Sequence, residues 1–267
     1  MKKLLTLLFS VLLVASLVGC GEKKVEENVL KIGATPVPHA EILELIKDDL
    51  AADGVKLEIV EFTDYVKPNL ALDTGEIDAN FFQHIPYMVN FGEENGLELV
   101  NVGSVHVEPM GLYSDKIKDI SELKEGDIIG IPNDPVNGGR ALLLLQEYGI
   151  IKIDETAGFT ATEKDITENP MGIKIKAVEA AQLPRVLADV TGAVINGNYA
   201  IESGLNPLND SIIIENANSP YVNIVTTIKG KEDDPRFVTL FKHLNSDKVK
   251  NHIIDSYNGG VVPAFEN

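Results

Sequence analysis

From Leu30 onward, short apolar runs of strand character alternate with amphipathic helical stretches, and this rhythm restricts the fold more than any other feature. Val29 to Ala34 predicts a buried strand, which Pro36 and Pro38 break. A helix over roughly 39–52 then puts Ile42, Leu45, Ile46 and Leu50 on one face before Gly54 stops it. Strands are expected over 55–62, 77–82, 97–107, 127–131, 173–178, 192–195, 211–214 and 221–227. Helices are expected over 67–74, 140–148, 183–190 and 198–203, with two more after Pro235. Strands separated by helices predict an α/β fold with mixed, mainly parallel sheets and flanking helices. A chain of 267 residues can build one large domain or two lobes. Extended stretches at 108–113 and 219–227 are candidate crossings between lobes. The expected division is 29–112 for the first part of lobe 1, 113–222 for lobe 2, and 223–267 for the return to lobe 1.

The segment before this rhythm reads as an address. Lys2 and Lys3 precede an apolar run from Leu4 to Leu17, too short for a comfortable membrane span, which needs about 20 apolar residues. Leu17-Val18-Gly19-Cys20 resembles a bacterial lipobox, in which the cysteine sulfur receives a diacylglycerol group and cleavage occurs just before it. Residues 1–19 are thus expected to be a lipoprotein signal peptide, and 20–28 a lipidated Cys20 with a polar tether. Cys20 is the single cysteine, so neither an internal disulfide nor a Cys-based metal cluster is available. Charge points the same way. With 41 acids against 23 bases, a formal charge of −18, the chain lacks the positive surface that nucleic acid requires. It would also not adhere to anionic lipid by charge alone, so attachment should depend on the acyl chains.

In open α/β sheets, ligands bind beyond the carboxyl ends of strands. Three of the expected strand ends carry unusual polar groups. Asp78 to Tyr87 gathers Phe81, Phe82, Gln83, His84 and Tyr87, either a core strand followed by a capped helix or one wall of a binding site. Gly130 to Arg140 runs from a strand through Asn133, Asp134, Asn137, Gly138 and Gly139 into a leucine-rich helix. Glycines there would let backbone approach a ligand. Arg140 would sit in the first helical turn, against the helix dipole, either paired with one of many acids or presenting its planar fork to a carboxylate. At Ala193 to Ala200, Asn196 follows a buried strand and either caps the next helix or offers a donor and an acceptor to a zwitterion. Together these groups suggest a small amphipathic ligand with a carboxylate, an amine and an apolar side chain. No GxSxG, HExxH, Walker loop or GxGxxG occurs, and the five histidines show no close ligand spacing, so no enzyme, metal site or cofactor is expected.

At these residues the sequence resembles the NlpA/MetQ-type methionine-binding lipoproteins of bacterial ABC importers. The matching segments include Ala34-Thr-Pro-Val-Pro-His-Ala-Glu-Ile-Leu43, Asp64-Tyr-Val-Lys-Pro-Asn69, Gly75-Glu-Ile-Asp-Ala-Asn80, Phe82-Gln-His84, Pro132-Asn-Asp-Pro135, Gly139-Arg140, Gln182-Leu-Pro-Arg185, Val194-Ile-Asn196 and Ser219-Pro-Tyr-Val-Asn223. The resemblance implies a two-lobed periplasmic-binding-protein fold (type II-like) with a hinge and a methionine cleft. It further implies that Tyr65, Phe82 and His84 line a thioether pocket. Arg140 would hold the carboxylate, and Asn137 and Asn196 would bond the α-amino or carboxylate groups. Phe81, Tyr87 and Asn198 are further lining positions, and His39 in the helix-start motif has a structural role. The implied partners are L- or D-methionine or a close analogue, an ABC permease with its separate ATPase, and the membrane through Cys20. The expected location is the extracytoplasmic face, and the expected state a monomer. Alternatives are a methionine-containing dipeptide as ligand, a surface adhesin or structural lipoprotein, a hydrolase with an unrecognised carboxylate site, and a metal-importing lipoprotein.

Overall fold

A computed structural model of the chain describes residues 28–216 and 219–265. The expected signal peptide, Cys20 and all of the tether but Asn28 lie outside the described residues. Among the described residues, no helix is long and apolar enough to cross a membrane.

Two mixed sheets organise the molecule. The larger contains β1 (Val29–Ala34), β2 (Lys56–Glu61), β3 (Ala79–His84), β4 (Leu99–Val107), β12 (Val222–Ile228) and β13 (Val262–Pro263), in the order β13-β4-β12-β3-β1-β2. The smaller contains β5 (Gly111–Tyr113), β6 (Ile128–Pro132), β9 (Lys174–Val178), β10 (Gly192–Ile195) and β11 (Ile213–Ile214), in the order β11-β5-β10-β6-β9. A short ribbon pairs β7 (Lys152–Ile153) with β8 (Ile166–Glu168). Among the described residues, parallel pairing is confined to β2-β1-β3 in one sheet and β9-β6-β10 in the other. The strands next to the crossings, β4, β5 and β12, pair antiparallel. The sheets are therefore more evenly mixed than the expected mainly parallel arrangement, because a chain that leaves one sheet for the other re-enters without a helical crossover. It passes from the first sheet to the second between Val107 and Gly111, and returns between Ile214 and Val222.

Helices cover the sheets where the apolar periodicity demands it. In α1 (Glu41–Ala52), Ile42, Leu43, Ile46 and Leu50 are buried on one face, and Gly54 follows at φ +85°. α2 is Lys67–Asp73, α3 is Ile85–Asn95 and α4 is Pro135–Glu147. α5 is Gly197–Glu202, α6 is Pro207–Asp210, and α7 (Pro235–Leu244) and α8 (Asp247–Tyr257) close the chain. Leu30, Ile32, Leu43, Ile46, Phe81, Val225 and Leu240 are among the residues of the first core, and Leu112, Ile129, Leu142, Leu145 and Val194 are in the second. Each fully buried side chain of this size contributes about 1.5–3 kcal/mol, and each lobe thereby has its own apolar centre.

Two of the expected helices take a different form, and those at Ile85–Asn95 and Pro207–Asp210 are not among the expected ranges. The one expected at 140–148 begins at Pro135, because Asp134 caps it by accepting the Asn137 amide at 2.8 Å and Pro135 fits the first helical position. The one expected at 183–190 is a tighter turn over Ala180–Val186 containing Pro184, whose ring and missing N–H oppose a regular α-helix. The glycines before Arg140 also have a different cause from the one expected. They lie inside α4, where a Cβ on Gly138 would stand 2.9 Å from the Pro132 carbonyl and one on Gly139 only 2.3 Å from the Phe159 carbonyl. They admit neighbouring backbone rather than a ligand.

Candidate ligand-binding site

The carboxyl ends of β3, β6 and β10 converge on a narrow cleft of about 20 Å³ between the lobes, room for about one water-sized molecule. Tyr65, Phe82, His84, Asn137, Arg140 and Asn196 all line it, as do Tyr87 and Asn198. Phe81 does not. It is fully buried in the first core, edge-on to His39 with ring centroids 4.6 Å apart. A register shift against β12, where Gln83 and Phe81 face the successive residues Ile224 and Val225, marks a bulge at this point. The place of Phe81 follows from the alternation of side chains along the strand, which puts it on the face opposite Phe82 and His84.

One wall is aromatic. The ring of Tyr65 lies 5.9 Å from Phe82, 5.9 Å from Tyr87 and 4.9 Å from Tyr199. Both local readings of this strand end hold together. His84 ends the core strand and its Nδ1 caps α3 by accepting the Tyr87 amide at 3.2 Å, while the same residues wall the cavity. With Nδ1 accepting, Nε2–H is the donor to Asn137 Oδ1, 3.3 Å away across the lobes. Burial, with the nearby charge of Arg140, lowers the His84 pKa to about 3, so the ring is neutral at physiological pH.

The opposite wall is polar and held from beneath. Asp134 accepts two hydrogen bonds from Asn137 Nδ2, both at 3.1 Å, which turns Asn137 Oδ1 towards His84 and towards Asn196 Nδ2 at 2.9 Å. Asn196 occupies the cap position of α5, but its side chain makes no capping bond there. The cap alternative therefore falls, and Asn196 Oδ1 is left buried without a protein partner. Asn198 accepts the Tyr65 hydroxyl at 2.5 Å and leaves its Nδ2 buried and unpartnered. A buried unpaired polar group costs about 1–3 kcal/mol, so one orphaned acceptor and one orphaned donor on the same lining are a cost that a zwitterion would remove. Asn196→Ala is accordingly expected to weaken ligand binding about tenfold, the value of roughly one such bond, while the apo melting temperature changes little. Calorimetry and thermal denaturation on the same sample check it. A large apo melting loss would return Asn196 to a structural role.

Arg140 is buried and engaged by an acid. Its Nε donates to Glu215 Oε1 at 2.8 Å, its Nη2 donates to Glu215 Oε2 at 2.5 Å and to the Glu108 carbonyl at 2.9 Å, and its Cζ lies 4.1 Å from the Tyr221 ring centroid. The pairing alternative is thus realised, yet Arg140 still borders the cavity. The helix-dipole reason for its position does not survive, because α4 starts five residues earlier.

Sequence reasoning noted Gln83 without giving it a role and missed Glu108, Gly197 and Asn223 on the lining. Glu108 directly follows a predicted strand, so the strand-end rule could have found it. Asn223 stands at the start of an antiparallel strand, where that rule does not look. Burial raises the Glu108 pKa, opposed by the nearby His39 and the charge of Arg140 and by the backbone N–H of Asn198. His39, His106 and Glu108 place ligand-type atoms within 4.8 Å of one another, but protein partners already engage them: His106 Nε2 bonds Glu108 Oε1 at 2.7 Å, and His39 Nε2 bonds Asn223 Oδ1 at 3.0 Å while lying 3.2 Å from Glu108 Oε1.

Comparison with known proteins agrees with this architecture. The family model described as NlpA lipoprotein matches residues 30–265. The membrane lipoprotein TpN32 of Treponema pallidum is 40% identical over 243 residues, covering 91% of each chain. The D-methionine-binding lipoprotein MetQ of Escherichia coli is 41% identical over 254 residues, covering 94% of this chain and 93% of that one. A nutrient binding protein from Burkholderia cenocepacia, solved bound to methionine, superposes with a TM-score of 0.86 at 41% identity, covering 88% of this chain and all of that one (100%).

Proposed function

This chain belongs to the NlpA lipoprotein family, and we propose that it is the binding protein of an ABC importer, capturing L- or D-methionine between its two lobes. The observation that carries the reading is the pairing of an aromatic wall with two orphaned polar atoms, Asn196 Oδ1 and Asn198 Nδ2, on one cavity. The rings of Tyr65, Phe82 and Tyr87, with the neutral imidazole of His84, enclose the thioether, whose sulfur sits well against ring edges. Glu108 and Asn196 Oδ1 receive the ammonium. Arg140 and Asn198 Nδ2 take the carboxylate. Asn137, held by Asp134, orients the amide groups around them.

Burying a methionine side chain is worth about 1.5–3 kcal/mol, and each charge-assisted hydrogen bond about as much again. Even after ordering costs, micromolar affinity, about 8 kcal/mol, is within reach. The Tyr65 hydroxyl donates to Asn198 and the Tyr199 hydroxyl to the Thr63 carbonyl at 3.3 Å, bonds that join the lobes directly. A ligand that bridges the same walls shifts an open–closed equilibrium, and the closed form docks on a permease whose ATPase is a separate chain. Nothing in this role requires bond-breaking chemistry, and a monomer suffices for it.

Calorimetric titration with L-methionine, D-methionine, methionine-containing dipeptides and leucine tests the ligand. Binding of a methionine enantiomer in preference to leucine supports the reading, and no response to any of them overturns it. Anchoring at the extracytoplasmic face is checked by the intact mass of protein extracted from membranes. A chain beginning at Cys20 and carrying acyl groups is expected, and an unmodified chain retaining residues 1–19 would be the contrary result.

A further inference from the structure

The best-defined polar cluster that the proposed site does not itself use lies immediately behind Glu108. His106, on β4, is fully buried, with Nε2 2.7 Å from Glu108 Oε1 and Nδ1 without a protein partner. His39 is also buried, with Nε2 3.0 Å from Asn223 Oδ1 and 3.2 Å from Glu108 Oε1, and Nδ1 2.7 Å from Thr35 Oγ1.

These contacts select protonation states. His39 Nε2 faces two acceptors, so it carries the hydrogen, and Nδ1 accepts from the Thr35 hydroxyl. For His106 there are two possibilities. If Glu108 is ionised, Nε2–H donates to it and the orphaned Nδ1 is an acceptor. If Glu108 is protonated and donates, the orphan is an N–H. An orphaned donor is the rarer and costlier of the two, so the ionised carboxylate is favoured. Burial holds both histidines neutral, His39 at about 4 and His106 at about 3, so they act as donors without adding charge. The other charged or titratable groups around Glu108 are Arg140 on α4, Tyr65 after β2 and Tyr257 on α8; both tyrosines are shifted upward and stay protonated.

We infer that His106, whose Nε2–H donates to Glu108, and His39, whose Nε2 lies beside the same oxygen while bonding Asn223, are positioning residues that keep Glu108 a carboxylate, so that the cavity selects ligands bearing a protonated amine. The inference rests on the assignment of Glu108 to the ligand ammonium. Charge on the lining supports it. Arg140 is already paired with Glu215, so Glu108 is the carboxylate on the lining with no full positive charge in contact. An ammonium would supply that charge.

The test compares methionine with 4-(methylthio)butanoate, which has hydrogen in place of the amine, by calorimetry between pH 5 and 8. A carboxyl with a raised pKa loses its charge as the pH falls towards that value. Methionine affinity should therefore weaken on the acid side while affinity for the amine-free analogue does not. In the His106→Phe variant, methionine binding at pH 7 should fall about tenfold, the worth of one charge-assisted hydrogen bond, and its acid limb should move to higher pH. The analogue should bind as before, and His106→Gln, which can still donate, should recover much of the loss. Thr35→Val, which releases the His39 tautomer, should give a smaller effect of the same sign and serves if the phenylalanine variant does not fold. Equal losses for both ligands, or an unmoved pH profile, would overturn the inference while leaving methionine capture intact. Failure of the unaltered protein to bind methionine would instead remove the ligand assignment, and the inference with it.

Discussion

Replacing Arg140 with alanine is expected to lower both stability and ligand binding, and to do so more than any other single change at the site. The guanidinium is 3% exposed and forms a bidentate pair with Glu215. Glu215 Oε2 also accepts the Met110 amide at 3.0 Å, where the chain enters the second sheet. Removing one member of a buried ion pair leaves the other charge uncompensated, which costs about 3–5 kcal/mol. For a protein of this size that is a melting-temperature drop of roughly 6–20 °C. The Tyr221 ring would lose its cation at the same time. Binding should fall by more than about a hundredfold, because the carboxylate partner and the wall it braces disappear together. Thermal denaturation of the apo protein and calorimetric titration separate the two effects. The double variant Arg140→Ala, Glu215→Ala should recover much of the melting temperature but none of the affinity. An Arg140→Ala protein with unchanged titration would remove Arg140 from the ligand.

Gly139→Ala should be nearly as damaging, without touching a ligand. A Cβ at that position would lie 2.3 Å from the Phe159 carbonyl oxygen, 2.9 Å from the Phe159 carbonyl carbon and 2.9 Å from the Ala161 amide nitrogen. All three are backbone atoms, so no side-chain rotation relieves the overlap. Either α4 or the segment around Phe159 must shift. Overpacking of this kind costs about 1–3 kcal/mol and sometimes more. The helix that would shift carries Asn137 and Arg140. Affinity should therefore fall along with the melting temperature, although neither side chain has been altered. Denaturation midpoints of the alanine variant check the effect, and stability equal to that of the parent would show that the segment yields freely.

These two residues illustrate what could be read from the chain alone. Strand–helix alternation was legible because a buried strand and an amphipathic helix each leave a local apolar period, as at Val29–Ala34 and in α1. The site was legible because α/β topology places strand ends together. Of the nine candidate positions, Phe81 alone is absent from the lining, and strand alternation, which sets it opposite Phe82 and His84, would have excluded it. The partners of Arg140 and of Glu108 were not legible. Glu215 is 75 positions from Arg140, and His39 is 69 from Glu108. The sequence offers many acids, and nothing local ranks them.

The amino-acid sequence by itself therefore determined the α/β class, the family, and which strand ends would bear the polar residues, since these follow from short-range periodicity and residue type. Only the tertiary structure decided which groups are already satisfied and which are left for a ligand. Of the alternatives the sequence left open, Asn196 is an open acceptor rather than a cap, and Arg140 is paired with an acid. Glu108 proved to be a buried acid beside two neutral histidines. The physical reason is that protonation state and hydrogen-bond satisfaction depend on burial and on atoms within about 3 Å, and folding brings those atoms from distant parts of the chain.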